Sequence, residues 1–254
     1  MVRNVDLVLR VLDECRVKGT FFVQGRVAER FPDLVRMLAS EGHEVQSHGY
    51  SHKPLSAMDR TALREELRRA KETVEDAGGT RVTAFRAQDF SILRGNLWAL
   101  ETIVEAGFRV DSSIFPMRSR NYGIGGWHVG PHYVTVGSGA TLLEVPVAVW
   151  AGRALRVPVA GGGYFRLLPL PVLRRALSSI VRSGRPAIVY CHPYEFDATE
   201  LADYRGKAPR SYLIAQGLGR KSFVKRVRRL LQDLSFGRFD DVLAAWNLGC
   251  ELRS

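Results

Sequence analysis

Cysteine is scarce in this chain of 254 residues: three in all, at positions 15, 191 and 250. An odd, widely spaced set encodes no disulfide framework and no CxxC zinc site. A reducing, cytoplasmic setting is the resulting expectation. Long hydrophobic runs are also missing. No stretch approaches the ~18 consecutive apolar residues of a membrane span. The opening "MVRNVDLVLRVLDECRVKG" is broken by charge every few residues and lacks the apolar core of a secretory signal. Histidine is rare as well, with six residues. What remains is the composition of a folded domain. Hydrophobic residues make up 46%, enough for a sizeable core, and charged residues 25%, which argues against global disorder. The length suits a single α/β barrel.

The surplus is positive charge, +11 net, much of it in "RGKAPR" (205–210) and "GRKSFVKRVRRLLQDL" (219–234). Such an excess attracts polyanions. Phe223, Val227, Leu230, Leu231 and Leu234 nevertheless recur at helical spacing, which makes the arginines the solvated face of a docked basic helix over about 220–234. No recognisable nucleic-acid module accompanies them, so no nucleic-acid partner is expected. Peripheral contact with a membrane surface stays open, and the oligomeric state is not encoded.

Along the chain, short β-rich runs alternate with helical patterns. "NVDLVLRVLDECRVKG" reads as a helix ending at Gly19, "TFFVQG" as a strand, and "RVAERFPDLVRMLASEG" as one helix stopped by Gly42. "HEVQS" is a short strand. "DRTALREELRRAKETVEDAGG" is an amphipathic helix capped by Asp59 and stopped at Gly78–Gly79. "VTAFRA", "FRVDSS", "TLLEVPV" and "PAIVYCH" read as strands; residues 116–139 read as irregular. This alternation predicts parallel strands joined by crossover helices in one domain, 1–254.

The reactive residues fall at strand exits: His48 and His52 after "HEVQS", Arg86 and Asp89 at "VTAF", Asp111 and Ser112 at "FRV", His192 at "AIVYC". In a barrel these would converge on the C-terminal face, where such folds keep their chemistry. Three of the six histidines crowd into "GHEVQSHGYSH" (42–52). His48 and His52, four apart, suit one divalent metal. His43, beside Gly42, reads as a packing or turn residue. Two histidines do not complete a catalytic zinc site, which wants a third protein ligand. Asp111 also fits a turn cap and Arg86 an interior ion pair.

"TFFVQG", "EGHEVQSHGYSH", "FRAQDFSI", "VDSSIFP" and "VYCHPYEFD" together resemble, in order and spacing, the polysaccharide deacetylases of carbohydrate esterase family 4, the NodB-homology domains. "SSIFPMRSRNYGIGG", "VAGGGYFRLLP" and "CHPYEFD" resemble the subgroup of bacterial exopolysaccharide export loci. The resemblance spans about residues 5–245. It implies a distorted (β/α) barrel that holds one divalent ion, zinc first, with cobalt, nickel or manganese as alternatives. It implies removal of N-acetyl groups from an N-acetylated polysaccharide or oligosaccharide. His48 and His52 then bind the metal, Arg86 orients the base, Asp111 helps set its partners, and His192 protonates the leaving amine. Tyr122, Trp127 and Tyr164, in loops or beside them, are candidates for the sugar groove.

Two features depart from the family pattern. Gln88 stands where proline is usual. The aspartate pair that ends the family's first strand has no counterpart, since only "MVR" precedes the first helix, and Asp6 and Asp13 lie within that helix. The expectation is therefore a barrel without its first strand, in an N-terminally truncated deacetylase. Asp89 is the local candidate for a substitute base or ligand. A glycan-binding homologue without turnover is the alternative, and a basic surface-association module a third.

Overall fold

The computed structural model describes residues 1–119, 122–152 and 155–251. The chain divides into two units. One, the sheet unit, takes Thr20–Val147 and Arg238–Ala244; the other takes residues 1–19, 148–237 and the stretch from 245 onward.

Helix α1 (Val2–Glu14) opens the second unit, and the chain then enters the sheet unit. There it forms β1 (Thr20–Val23), α2 (Gly25–Arg30), α3 (Pro32–Ser40), β2 (Glu44–Ser47), α4 (Arg60–Gly78), β3 (Ala84–Phe85), α5 (Ala99–Glu105), β4 (Val110–Asp111), β5 (His132–Thr135) and β6 (Thr141–Glu144). The strands order as β1-β2-β3-β4-β6-β5. All neighbours are parallel except β5 and β6, which are antiparallel. Helical crossovers bring each following strand in with the same direction, as the alternation predicts.

Helix α4 shows how the sequence dictates the packing. Leu63, Leu67, Ala70, Val74 and Ala77 lie on one stripe and are buried. Burying each leucine contributes about 1.5–3 kcal/mol. The Asp59 carboxylate caps the start by accepting the Ala62 N–H at 2.8 Å. Gly79, at φ 63°, ends the helix in the left-handed region that glycine tolerates.

Four expectations need correction. The helix expected over 26–42 is two, α2 and α3, broken at Phe31 (φ −136°, ψ 58°). Pro32 bars the residue before it from the helical region and opens α3 instead. Helix α1 stops at Glu14 rather than Gly19, because Arg16 takes φ 54°. Residues 116–139 contain β5, an edge strand paired on one side only, whose half-exposed "HYVT" gives no apolar signal. "PAIVYCH" is not a ladder strand. Its backbone makes separate bonds, Ala148 N–H to Ile188 O and Tyr190 N–H to Ala160 O, both 2.8 Å, with no continuous partner.

The second unit continues with β7 (Val149–Ala151) and β8 (Arg156–Pro158), paired antiparallel, then α6 (Gly162–Leu167), α7 (Leu170–Arg182), α8 (Arg210–Gly217) and α9 (Arg220–Asp233). Helix α10 (Phe239–Glu251) follows. Helix α9 buries Phe223, Val227 and Leu230, as its periodicity predicts. Its arginines are not all solvated. Arg220 is buried, 3.5 Å from Glu200 and 4.9 Å over the Tyr194 ring. Arg228 pairs with Glu14 at 2.6 Å and Arg229 with Asp233 at 3.1 Å. Cys15 and Cys191 are free thiols; the side chain of Cys250 lies outside the described residues. Among the described residues, no helix is long and apolar enough to cross a membrane.

Candidate active site at the strand ends

Register aligns one row across the sheet: Ser47 beside Phe85, Phe85 beside Asp111, Asp111 beside Glu144. The row lies at the C-terminal ends of four parallel strands, where α/β sheets place their ligands. His48 follows it directly from β2 and Arg86 from β3.

The His48–His52 loop is fixed from several sides. His48 Nδ1 lies 2.7 Å from the Arg86 carbonyl oxygen. A carbonyl can only accept, so Nδ1 carries the hydrogen and Nε2 keeps the lone pair, the tautomer of a metal-ligating imidazole. The His48 and His52 rings stand edge to face with centroids 5.5 Å apart. Glu66 of α4 accepts the N–H groups of Tyr50 and Ser51 at 2.8 and 2.6 Å and the Ser51 hydroxyl at 3.0 Å. The Gln88 amide donates to the His48 carbonyl oxygen. Gly49, at φ 71°, is required here: a Cβ would fall on that same Gln88 nitrogen. His43 is buried against the Phe21 ring at 5.2 Å, a packing residue as expected.

Strain gathers at this edge. His52 (φ 61°), Asp89 (φ 53°) and Phe90 (φ 49°) are three of four non-glycine residues with positive φ among those described. Such conformations cost of order 1–3 kcal/mol each and cluster at functional sites.

Arg86 and Asp111 anchor a buried network. The Arg86 guanidinium donates to Ser112 O (3.3 Å) and Ser112 Oγ (2.9 Å), and that hydroxyl donates to Val145 O (2.7 Å). Its charge also stands 4.2 Å over the Phe22 ring. Asp111, fully buried, accepts the Ser113 hydroxyl at 2.5 Å and N–H at 3.2 Å, and Ser113 Oγ in turn accepts the Ala87 N–H at 2.8 Å. Burial raises the Asp111 carboxyl above the usual range, opposed by hydrogen bonds from Glu144 and Ser113 and by the nearby Arg86 charge.

Donor type at His48 and His52, and the tautomer of His48, fit a divalent ion, but the two histidines fill two ligand positions only. Among the described residues no group of three His, Cys, Asp or Glu is gathered to hold a metal. Asp89 is exposed on a turn after β3 and joins no such group.

Tyr122 packs edge-on to Phe115 (5.2 Å) and lies 6.1 Å from Phe90. Trp127, part-buried, lies 5.8 Å from His132. His192 and Tyr164 belong to the second unit. Tyr164 is 49% exposed on α6. The His192 side chain is 47% exposed at the start of a 3-10 turn, Pro193–Phe196. It stacks on Tyr194 at 5.0 Å, with Nδ1 3.4 Å from the buried Glu195 carboxylate, which also accepts the His192 N–H at 2.9 Å. Burial and the Glu195 charge push the Tyr194 hydroxyl up to about 12, so it stays protonated.

Residues 2–97 match the polysaccharide deacetylase family, and residues 112–244 match a domain of unknown function, DUF3473. The chain belongs to the DUF3473 family and carries a NodB-type polysaccharide deacetylase domain. It is 34% identical over 102 residues to a peptidoglycan-N-acetylglucosamine deacetylase of Bacillus cereus, covering 39% of this chain and 37% of that one. It is 43% identical over 70 residues to a chitooligosaccharide deacetylase of Rhizobium leguminosarum bv. trifolii, covering 28% and 33%. The chain thus spans about a third of the length of these curated relatives. A solved Mycobacterium smegmatis structure, described as a polysaccharide deacetylase, superposes with a TM-score of 0.59 at 22% identity, over 97% of this chain and 77% of that one. At that identity the likeness shows the shared α/β fold alone.

Sequence reasoning found His48, Arg86 and Asp111 at strand ends, with His52 in the loop after β2. It missed Glu66 and Glu144, and it marked Gln88 only as a departure from the family's proline. Glu144 had a signal: an acid inside "TLLEVPV" is a charge in a buried strand, which needs a partner. Glu195, three residues after His192, had the spacing of a local cap. Glu66 had none.

Proposed function

We propose that this chain belongs to a metal-dependent hydrolase that removes N-acetyl groups from an N-acetylated polysaccharide, in the setting of bacterial exopolysaccharide synthesis. The observation that carries the reading is the His48–His52 pair, with His48 locked by the Arg86 carbonyl at the end of parallel strands. The relatives' names, deacetylases of peptidoglycan N-acetylglucosamine and of chitooligosaccharides, support the substrate class.

His48 and His52 are this chain's share of the metal site, with zinc the first choice. When bound, such an ion polarises an amide carbonyl and the water that attacks it. Arg86, anchored on Ser112, holds positive charge at the strand ends and fixes His48 through its carbonyl. Asp111 balances that charge from within the sheet. His192 is the proton donor to the leaving amine: half-exposed to reach a substrate, with its ring steadied by Glu195 and Tyr194. Tyr122, Trp127 and Tyr164 offer faces to sugar rings. Asp89 is the candidate for a substitute base or ligand.

A second reading, a homologue that binds glycan without turnover, is favoured by one observation: the described residues gather no third ligand beside the pair. Acetate release from an N-acetylglucosamine oligomer separates the two, assayed with this chain and with the longest in-frame protein that contains it. Release that needs both a divalent ion and His192 supports the first. Oligomer binding with no release from either protein supports the second.

A further inference from the structure

Glu144 is an acid with no exposed surface, placed beside Asp111, which has none either. Neighbours in a parallel register share a face, so two carboxyl groups meet inside the sheet. The donors around them are nearly all accounted for. Glu144 Oε1 accepts the Ile114 N–H at 3.1 Å, and Asp111 takes the Ser113 hydroxyl and N–H. Glu144 Oε2 is buried and receives no N–H or O–H from the described residues. An ionised oxygen in that position would be a desolvated charge with nothing to stabilise it, which is among the costliest arrangements a core can hold.

Among the described residues, the charges facing the pair do not balance two anions. Arg86, from the end of β3, supplies one positive charge near both carboxyls. His132 is the register partner of Glu144 on β5; its Nδ1 lies 2.9 Å from the Gly130 carbonyl oxygen, and burial lowers its pKa, which keeps it neutral. Among the described residues one guanidinium thus faces two carboxyls, and a proton makes up the difference.

We propose that Glu144 is a neutral positioning residue: it keeps its proton at neutral pH and donates it to Asp111, so that the buried pair carries a single negative charge opposite Arg86. The shared proton ties β6 to β4, and Glu144 Oε1 ties the turn at Ile114. Asp111 and Ser113 then fix Ala87, while Ser112 seats the Arg86 guanidinium. The direction of titration agrees: burial, then the Asp111 charge, push Glu144 well above its ordinary value of 4.5. That this network serves catalysis rests on the deacetylase reading; the state of the proton does not.

Two measurements on the wild-type chain and Glu144→Gln test it without any turnover. Difference infrared spectroscopy at neutral pH is expected to show a protonated-carboxyl C=O band, shifted by deuteration and absent from Glu144→Gln. Denaturation against pH is the second. A carboxyl raised on folding contributes stability that is fully present below about pH 4.5 and lost as the pH climbs toward its folded pKa. Over that window the unfolding constant of the wild type should grow about tenfold per pH unit relative to Glu144→Gln. Glutamine, neutral and able to donate, should keep the slow hydrogen exchange of the Ile114 amide, whereas Glu144→Ala speeds it at least about tenfold. No protonated-carboxyl band in the wild type, or a flat pH ratio, would overturn the proposal. Should Glu144→Gln fail to fold, the wild-type band at neutral pH decides alone.

Discussion

The loop at 48–52 and the turn at 192–196 each present a histidine, and they hold it by opposite means. His48 is pinned by backbone and neighbouring side chains: the Arg86 carbonyl, the buried Gln88 amide and three hydrogen bonds from the loop to Glu66. His192 stands half in solvent, steadied by a ring stack and one buried carboxylate. Under the proposed function the difference is that between a ligand and a proton donor. A ligand gains from a fixed lone pair, since rigid placement is what gives a metal site its affinity. A donor needs access to the atom it protonates and a ring held only in orientation.

Removing the exposed member should produce the largest effect. In a protein that releases acetate, His192→Ala should lower kcat by about 10²–10⁴-fold and change KM far less. A nearly unchanged rate would make His192 a structural residue and collapse the contrast. Disturbing the rigid member should appear in stability first. Gly49→Ala places a side chain at φ 71° against the Gln88 amide, and chemical denaturation should show a loss of about 1–3 kcal/mol. An unchanged midpoint would mean that the loop is not held as described. A smaller effect belongs to the helix that carries Glu66. Asp59→Ala removes the cap on Ala62 and should cost about 1 kcal/mol by the same measurement. Arg36→Ala breaks only the exposed pair with Asp33, and should stay within about 0.5 kcal/mol.

The same contrast runs through what the sequence could reveal. Helix α4, its Asp59 cap and its glycine stop are local features set by neighbours in the chain, and they were legible as such. So were the parallel strands and the residues at their C-terminal ends, because strand–helix alternation carries topology with it. The strand expected before His192 was not there. "PAIVYCH" has the composition of a strand, but its backbone partners are single residues at 148 and 160, far away in sequence. β5 was hidden for the converse reason: an edge strand with one paired side needs no apolar pattern. At the site, residue types with chemistry were visible, while the groups that hold them were not. Gln88 looked like a departure from the family's proline; in the fold it is buried and donates to His48. Glu144 read as one more strand residue until its register placed it against Asp111.

Metal content tests the central claim, that the strand-end histidines form a divalent-ion site. Purified wild-type chain and His48→Ala/His52→Ala, equilibrated with zinc and then freed of unbound ion, should differ plainly. The wild type should retain about one ion per chain, weakly for want of a third ligand, and the double variant none. Equal metal in the two proteins would contradict the account.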